Sequence, residues 1–189
     1  MSSTVNQQTP PIILIVMGVS GSGKTTVAAM LAGRLHWRFQ EGDALHPPAN
    51  VEKMHHGIPL TDEDRLPWLD SIAALVDRWS VAGVSGIITC SALKRAYRDR
   101  IRAGQSDVEF IYLRGARAVV SSRITQRMGH FMPPSLLDSQ FATLEEPSDD
   151  EPVITVDIGG SPGQIVEAIL SALQREHHEL RPRSAPGAG

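Results

Sequence analysis

The chain has 189 residues, 41% of them hydrophobic, and a formal net charge of −3. This length and composition predict one globular domain with a sizeable core. There is no basic excess that would favour a nucleic acid partner, and no apolar run long enough to cross a membrane. We find no pattern of a secretory signal, and the single cysteine, Cys90, excludes an internal disulfide. We therefore expect a cytoplasmic protein, with Cys90 as a small buried hydrophobe.

Residues 1–11 are polar and end in two prolines, so we expect a disordered leader there. The apolar run Ile12–Met17 is rich in β-branched residues and predicts a buried strand. The next stretch, Gly18-Val19-Ser20-Gly21-Ser22-Gly23-Lys24-Thr25, fits the P-loop pattern G-x-x-x-x-G-K-[ST]. Apolar residues spaced by four from Val27 to Leu35 predict a helix directly after it. Strand, glycine loop and helix form the context in which this motif binds a nucleoside triphosphate.

The residue types of this loop suit phosphate binding. Glycines let backbone N–H groups converge on phosphate oxygens, and the helix N-terminus adds unpaired N–H groups and partial positive charge. Lys24 supplies a full charge to the β- and γ-phosphates, and the Thr25 hydroxyl is a ligand for Mg²⁺. We expect a nucleoside triphosphate to contact the loop and the start of its helix, namely Gly18, Val19, Ser20, Gly21, Ser22, Gly23, Lys24, Thr25 and Thr26.

A short second strand is predicted near residues 37–40, and it ends in Glu41-Gly42-Asp43. Asp43 would then lie at the carboxyl edge of a parallel sheet, where ligands bind in such folds. The alternative for Asp43 is a cap or turn residue, since aspartate is common in both.

A helix is predicted from Asp64 as its cap, with Pro67 in the first turn. Trp68 and Trp79 on this helix are predicted to be core residues. A strand at Gly86–Cys90 follows, and Ser91 to Lys94 come at its carboxyl end. The arginines of the next helix, 94–103, are predicted to form a solvated basic face, with Lys94 excepted because of its position.

The second half continues the alternation of strands and helices. A strand is predicted at 108–113 and a helix at 116–128, with Arg123 and Arg127 on one face. The turn Gly129–Pro134 and the helix at 135–145 resemble a short lid, although a plain helical hairpin fits the pattern equally well. A strand at 153–158 and a last apolar-striped helix follow, and we expect a flexible tail at 177–189. Five strands and about seven helices predict a doubly wound α/β fold, with a parallel sheet covered by helices on both faces.

Several classes of P-loop protein are unsupported. The sequence has no N-K-x-D motif for guanine, no strand of its second half ends in the Asp-Glu pair of many ATP hydrolases, and the chain is too short for a motor. A small phosphotransferase remains, with acceptor residues at about 43–65 and a closing segment at about 127–134.

The later motifs resemble the gluconokinase family. They are Gly42-Asp43-Ala44-Leu45-His46-Pro47 with Asn50, Lys53-Met54, Gly57-Ile58-Pro59-Leu60, Asp64-Arg65-Leu66-Pro67-Trp68-Leu69, Cys90-Ser91-Ala92-Leu93-Lys94 with Tyr97-Arg98, Gly129-His130-Phe131-Met132-Pro133, Ser139-Gln140-Phe141 and Leu144-Glu145. The resemblance covers roughly residues 12–173, in the right order. It implies phosphorylation of D-gluconate by ATP at the 6-hydroxyl, for the pentose phosphate or Entner-Doudoroff route. It also implies kinship with shikimate and nucleoside monophosphate kinases, a mobile lid and a homodimer.

These expectations assign roles to residues. Lys24 and Mg²⁺ on Thr25 would neutralise phosphate charge, and Asp43 would orient the acceptor hydroxyl and take its proton. Arg65 or Lys94 would bind the gluconate carboxylate. Hydroxyl partners would be His46, Ser91, His130 and Gln140. By similarity to related kinases, Arg123 would lie by the adenine and Arg127 would act as an arginine finger.

The predicted organisation is a single kinase domain at 12–176, with a substrate segment at about 43–69 and a lid at about 127–135. Two alternatives stay open. A kinase for another small acid, such as shikimate, would favour a second acidic residue two positions from Asp43, and Glu41 leaves that alternative open. A regulatory module that binds nucleotide without catalysis is disfavoured by the intact Lys24, Thr25, Asp43 and Arg127. Adjacent histidine pairs do not have the spacing of a zinc site.

Overall fold

The computed structural model describes residues 10–126 and 134–177. Most of the predicted leader, the lid segment with Arg127 and His130, and the tail beyond His177 lie outside the described residues. The elements in chain order are β1 (Ile13–Met17), α1 (Lys24–Leu35), β2 (Arg38–Gln40), a 3-10 turn (Gly42–Leu45), α2 (Pro48–His55), α3 (Asp62–Val81), β3 (Gly86–Thr89), α4 (Arg95–Arg102), β4 (Val108–Arg114), α5 (Arg117–Gln126), α6 (Pro134–Thr143), β5 (Val153–Asp157) and α7 (Pro162–Glu176).

The five strands form one sheet in the order β2-β3-β1-β4-β5. Each neighbouring pair is parallel, and Ile15 at the centre pairs with Ile88 on one side and Phe110 on the other. The predicted parallel α/β fold is therefore confirmed. Since all strands point the same way, their carboxyl ends lie along one edge of the sheet.

The core lies in two layers, one on each face of the sheet. Alternate residues of β1 show this division, because successive side chains of a strand point to opposite faces. Leu14 and Val16 pack in the cluster that contains the apolar faces of α1 and α7. Ile13, Ile15 and Met17 pack in the other cluster, with the apolar face of α3. Helices cover both faces, as predicted.

The start of α3 differs from the prediction. Thr61, and not Asp64, is the N-cap, and it forms a capping box in which Asp64 is the third helical residue. Pro67 therefore lies in the second turn of the helix. The Asp64 carboxylate satisfies the N–H of Thr61, which is why a residue that is typical of caps stands three positions inside the helix.

Arg98 on α4 is also placed differently from the prediction of a solvated basic face. Its side chain is 2% exposed and pairs with Glu151, Nε to Oε2, at 2.5 Å. A buried guanidinium requires such a partner because its desolvation is costly. The neighbouring Arg95 and Arg100 lie on the exposed side of the helix and pair with Asp150 and Asp70.

Three further observations bear on the sequence predictions. Cys90 is buried, and its burial raises the pKa of the thiol to about 12, which confirms the prediction of a buried residue. His177, placed in the predicted tail, caps α7 and lies 2.5 Å from Glu109, Nε2 to Oε1. Among the helices of the described ranges, none combines the length and apolarity needed to cross a bilayer.

Candidate active site

The carboxyl ends of β1, β2 and β3 open onto one cavity of about 280 Å³. Its walls come from the P-loop, the turn after β2, the loop after β3, helices α3 and α6, and the segment that runs from the end of α2 to α3. The lining residues are Ser20, Lys24, Asp43, His46, Met54, Gly57, Ile58, Pro59, Leu60, Arg65, Trp68, Ser91, Ser139 and Gln140. The sheet edge therefore brings together Lys24, Asp43 and Ser91, which are distant in sequence.

The P-loop has a backbone that suits phosphate. Gly21 takes a φ of 79°, and a Cβ there would lie 2.5 Å from Ile124 on α5, so the close contact between loop and helix requires glycine. Helix α1 has no acidic residue in its first turn and no side-chain cap, and this leaves a partial positive charge facing the loop. An anion is the natural partner for such a helix end.

The side chains of the loop also fit a phosphate. Lys24 Nζ donates to the carbonyl oxygens of Gly18 (3.0 Å) and Val19 (3.1 Å). The Ser22 hydroxyl is fully buried, and within residues 10–126 and 134–177 it has no hydrogen-bond partner. Thr25 is exposed at the second position of α1, so its hydroxyl is an accessible oxygen ligand of the kind that Mg²⁺ prefers. The residues present therefore fit a magnesium–nucleotide complex.

A second cavity of about 280 Å³ lies on the other side of the P-loop. It is lined by Gly21, Gly23, Thr26, Val27, Arg123, Pro162 and Ile165. The Arg123 guanidinium donates to the backbone oxygens of Ser22 (3.3 Å), Gly160 (3.0 Å) and Ile158, so it joins α5 to the loop and to the end of β5. The P-loop is therefore the shared wall of two cavities.

The turn that carries Asp43 is fixed from both sides. The N–H of Gly42 donates to Thr89 Oγ1 (3.0 Å), and Trp68 Nε1 donates to the Gly42 carbonyl (2.8 Å). A Cβ on Gly42 would lie only 1.8 Å from the Thr89 carbonyl oxygen, so no other residue fits there. Asp43 itself is exposed and lines the first cavity. Its backbone is thus held rigidly while its carboxylate faces open space.

His46 lines the same cavity and stacks on Trp68. The ring centroids are 4.1 Å apart and the planes differ by 14°. The pKa of His46 is lowered, chiefly because the ring is desolvated; the nearby Asp43 opposes this shift and Arg65 adds to it. Burial and Arg65 thus favour the neutral imidazole.

Arg65 and Lys94, which were predicted as alternative partners of a substrate carboxylate, lie in different places. Arg65 lines the cavity, and no carboxylate of the described ranges forms an ion pair with it. Lys94 is not part of the cavity wall, and its Nζ pairs with Asp62 at 2.6 Å. The hydrogen bonds from Lys94 and from Tyr97 lower the pKa of Asp62. Of these two residues, Arg65 is therefore the one that an anionic ligand in the cavity would meet, and Lys24 of the P-loop is the other cation of the lining.

Of the other predicted substrate residues, Ser91 and Gln140 both reach the cavity. Gln140 Oε1 accepts a hydrogen bond from the Ser20 N–H of the P-loop at 2.6 Å. Arg127 and His130 lie outside the described residues. Glu41, the residue that left the shikimate alternative open, is not in the cavity wall. Its carboxylate accepts a hydrogen bond from the Thr89 hydroxyl.

Sequence reasoning missed three contributors to this site. Trp68 was predicted as core, and it is 1% exposed, yet it also supports His46 and the turn before Asp43. Ser139 lines the cavity beside Gln140. Asn50 is buried behind His46, and its spacing of four residues from that histidine was the signal available in the sequence.

A P-loop between two cavities, at the carboxyl edge of a parallel sheet, defines a P-loop kinase of small molecules. The family model for adenylylsulphate kinase matches residues 10–127. The chain is 52% identical to the gluconokinase of Gluconobacter oxydans strain 621H over 166 residues, which cover 88% of this chain and 93% of that relative. The chain therefore belongs to the gluconokinase family and is a kinase.

Two solved structures agree with this assignment. A sugar kinase from Janibacter sp. HTCC2649 is 52% identical, with a TM-score of 0.82 over 87% of this chain and 95% of its own. A gluconokinase from Sinorhizobium meliloti 1021 is 43% identical, with a TM-score of 0.80 over 90% of this chain and 95% of its own.

Proposed function

We propose that this chain transfers the γ-phosphoryl group of ATP to the 6-hydroxyl of D-gluconate, giving 6-phosphogluconate and ADP. The observation that carries the proposal is the position of the P-loop between two cavities. A phosphate chain held by the loop could extend from the cavity beside Arg123 towards the cavity that contains Asp43. This is the arrangement that in-line transfer between a donor and an acceptor needs.

On the donor side, the loop from Gly18 to Thr26 would hold the phosphates, and Arg123 lies at the wall of the cavity in which we place the adenosine. Mg²⁺ would be held by Thr25 and would neutralise charge on the β- and γ-phosphates. Lys24 would exchange its bonds to the Gly18 and Val19 carbonyls for bonds to phosphate oxygens. Its charge is then available where negative charge accumulates in the transition state.

On the acceptor side, Arg65 is the partner that we propose for the gluconate carboxylate, because Lys94 is already paired with Asp62. His46, Ser91 and Gln140 offer polar groups to the hydroxyls of the substrate. The lining thus combines two cations, Lys24 at the P-loop and Arg65 on α3, with one carboxylate and several neutral polar groups. A polyhydroxylated acid is the substrate chemistry that this set complements.

The chemical step needs few groups. The acceptor oxygen forms a bond to phosphorus as the bond to the ADP oxygen breaks, and the hydroxyl proton passes to the Asp43 carboxylate. An aspartate carboxylate is a weak base. A loose transition state asks for little deprotonation before the bond forms, so Asp43 would act by orienting the hydroxyl as well as by accepting its proton.

We also propose the remaining features expected from the sequence. These are a single kinase domain at 12–176 with substrate residues at about 43–69, a lid at about 127–135 that brings Arg127 to the phosphates and His130 to the substrate, a flexible leader and tail, and a cytoplasmic homodimer. Closure of a lid would exclude water and so limit ATP hydrolysis. Analytical ultracentrifugation of the full chain tests the dimer directly.

The deciding experiment is ADP release with ATP and Mg²⁺ over a panel of acceptors: gluconate, related sugar acids, shikimate, glycerate, adenylyl sulphate and nucleoside monophosphates. We expect turnover with gluconate and a product whose ³¹P–¹H coupling places phosphate on carbon 6. Turnover with another acceptor alone would move the substrate assignment and keep the kinase. ATP binding without turnover on any acceptor would favour the regulatory module.

A further inference from the structure

A buried amide lies directly behind His46. Asn50, near the start of α2, is 3% exposed and takes no part in the cavity wall. Its Nδ2 lies 2.7 Å from the backbone oxygen of Asp64 and 3.3 Å from Nδ1 of His46. The same amide group therefore contacts both the first turn of α3 and one edge of the histidine ring.

The contact with Asp64 decides which way the amide faces. A backbone carbonyl only accepts hydrogen bonds, so the atom that faces it must be the amide nitrogen of Asn50. That nitrogen carries two protons, one for the Asp64 oxygen and one for Nδ1 of His46. Nδ1 must then present a lone pair, and the ring proton of a neutral His46 lies on Nε2.

The remaining contacts fix the ring in place. One face of His46 lies on Trp68, and Trp68 is itself tied to the Gly42 carbonyl next to Asp43. Because Nδ1 of His46 faces Asn50 and one face of the ring packs on Trp68, the Nε2 edge and the second face of the ring are the parts that can face the cavity. The charged groups around the ring are Asp43 and Arg65 at the cavity and, behind Asn50, the Lys53–Asp64 pair, whose Nζ and Oδ1 are 2.7 Å apart.

We propose that Asn50 is a positioning residue that holds His46 in the Nε2–H tautomer, so that His46 donates a hydrogen bond to an oxygen of the acceptor. Asp43 and His46 then have opposite roles in one cavity. The Asp43 carboxylate accepts the proton of the reacting hydroxyl, and His46 recognises an oxygen as a donor and does not act as a base. The lowered pKa of His46 agrees with this role, since a neutral ring keeps Nδ1 available to Asn50. The identity of the acceptor rests on the proposed function, but the tautomer does not.

The first test reads the tautomer without any substrate. In protein labelled with ¹⁵N-histidine, long-range ¹H–¹⁵N correlations distinguish protonated from unprotonated ring nitrogens, and the His46 signals are assigned by their loss in His46→Gln. We expect Nδ1 unprotonated and Nε2 protonated in the wild type at neutral pH. Asn50→Ala should shift the His46 nitrogens towards a mixture of tautomers, while His36, at the end of α1, keeps its signals. A wild-type ring protonated on Nδ1 overturns the proposal, even if the Asn50 variant does not fold.

The second test uses two substitutions that mimic the two ring nitrogens. Glutamine at position 46 can place an N–H near the site of Nε2, whereas asparagine places its amide near the site of Nδ1. We expect His46→Gln to raise the KM for the acceptor only a few-fold and His46→Asn to raise it about tenfold more, the effect of one lost hydrogen bond. Asn50→Ala should also raise this KM and leave the KM for ATP unchanged. Equal losses in both His46 variants would contradict the donor role, whichever acceptor the panel identifies.

Discussion

The backbone N–H of Ser20 in the P-loop donates to the side-chain oxygen of Gln140 on α6, across 2.6 Å. Both residues line the acceptor cavity. The loop that we propose for phosphate binding is therefore attached directly to the wall that we propose for the acceptor. Helix α6 begins within the segment that we propose as a lid, at about 127–135.

We predict that Gln140→Met, which keeps the length and removes the acceptor atom, lowers the free energy of unfolding by about 1 kcal/mol, the net contribution of one hydrogen bond. It should also raise the KM for gluconate, because a polar group of the cavity is lost. Urea denaturation and steady-state kinetics measure the two effects. Gln174→Met on the exposed side of α7 is the matched control and should change neither. An unaltered KM for gluconate in Gln140→Met would remove Gln140 from the substrate site.

Asp43→Asn should lower kcat by about 10² or more, because general-base assistance typically contributes 10²- to 10⁴-fold. The amide has nearly the same shape, and the turn is held by backbone bonds of Gly42, so ATP binding should persist. Turnover of the variant and calorimetric titration with a non-hydrolysable ATP analogue separate the two properties. Asp77→Asn, on an exposed face of α3, controls for the loss of one negative charge. Wild-type turnover in Asp43→Asn would contradict our assignment.

The main features of this fold were predictable because they depend on local patterns. The run Ile13–Met17, the glycine motif and the apolar stripe of α3 each identify an element without reference to the rest of the chain. The parallel sheet then follows from the alternation of strands and helices, and it places Asp43 and Ser91 at the edge where Lys24 lies.

The features that the sequence did not reveal involve side chains whose partners are distant in sequence. Arg98 resembles its exposed neighbours on α4, and only the fold brings Glu151 to it from 53 residues away. Lys94 stands at a strand end, yet Asp62 neutralises it from the start of α3. Trp68 has the position of a core residue in its helix, and its second role depends on His46 packing against it. Ion pairs and ring contacts between residues that are distant in sequence depend on the tertiary fold, which periodicity does not encode.

The placement of Arg65 and Lys94 gives a comparison between two variants. We predict that Arg65→Gln raises the KM for gluconate by about 10- to 100-fold, since hydrogen bonds to charged groups contribute about 1.5–3 kcal/mol. Lys94→Gln should have a smaller effect, because Lys94 is paired with Asp62 outside the cavity. Arg78→Gln at the end of α3 controls for charge loss on the same helix. If Lys94→Gln gives the larger increase in KM, Lys94 and not Arg65 binds the carboxylate.

The buried pair Arg98–Glu151 should govern acid stability. Arg98 donates to both carboxylate oxygens of Glu151, at 2.5 and 2.9 Å, and its remaining nitrogen donates to the carbonyls of Ala92, Leu93 and Glu145. It thus holds the loop that carries Ser91. Removing one partner of a buried pair leaves an uncompensated charge, so Glu151→Gln should lower the free energy of unfolding by about 3 kcal/mol at pH 7.

The pH dependence of this effect follows from the pKa of Glu151, which lies below its ordinary value of 4.5, chiefly because of the hydrogen bonds from Arg98. A carboxyl whose pKa is lower in the folded state stabilises the fold fully above its unfolded-state pKa and loses that contribution as the pH falls through the folded-state pKa. The difference between wild type and Glu151→Gln should therefore be constant from pH 7 to about pH 5 and shrink below pH 4.5. Urea denaturation across this range measures it, with Asp150→Asn in the neighbouring exposed pair as the control. A difference that stays the same down to the acid transition would mean that packing around Arg98, and not its charge pairing, stabilises this loop.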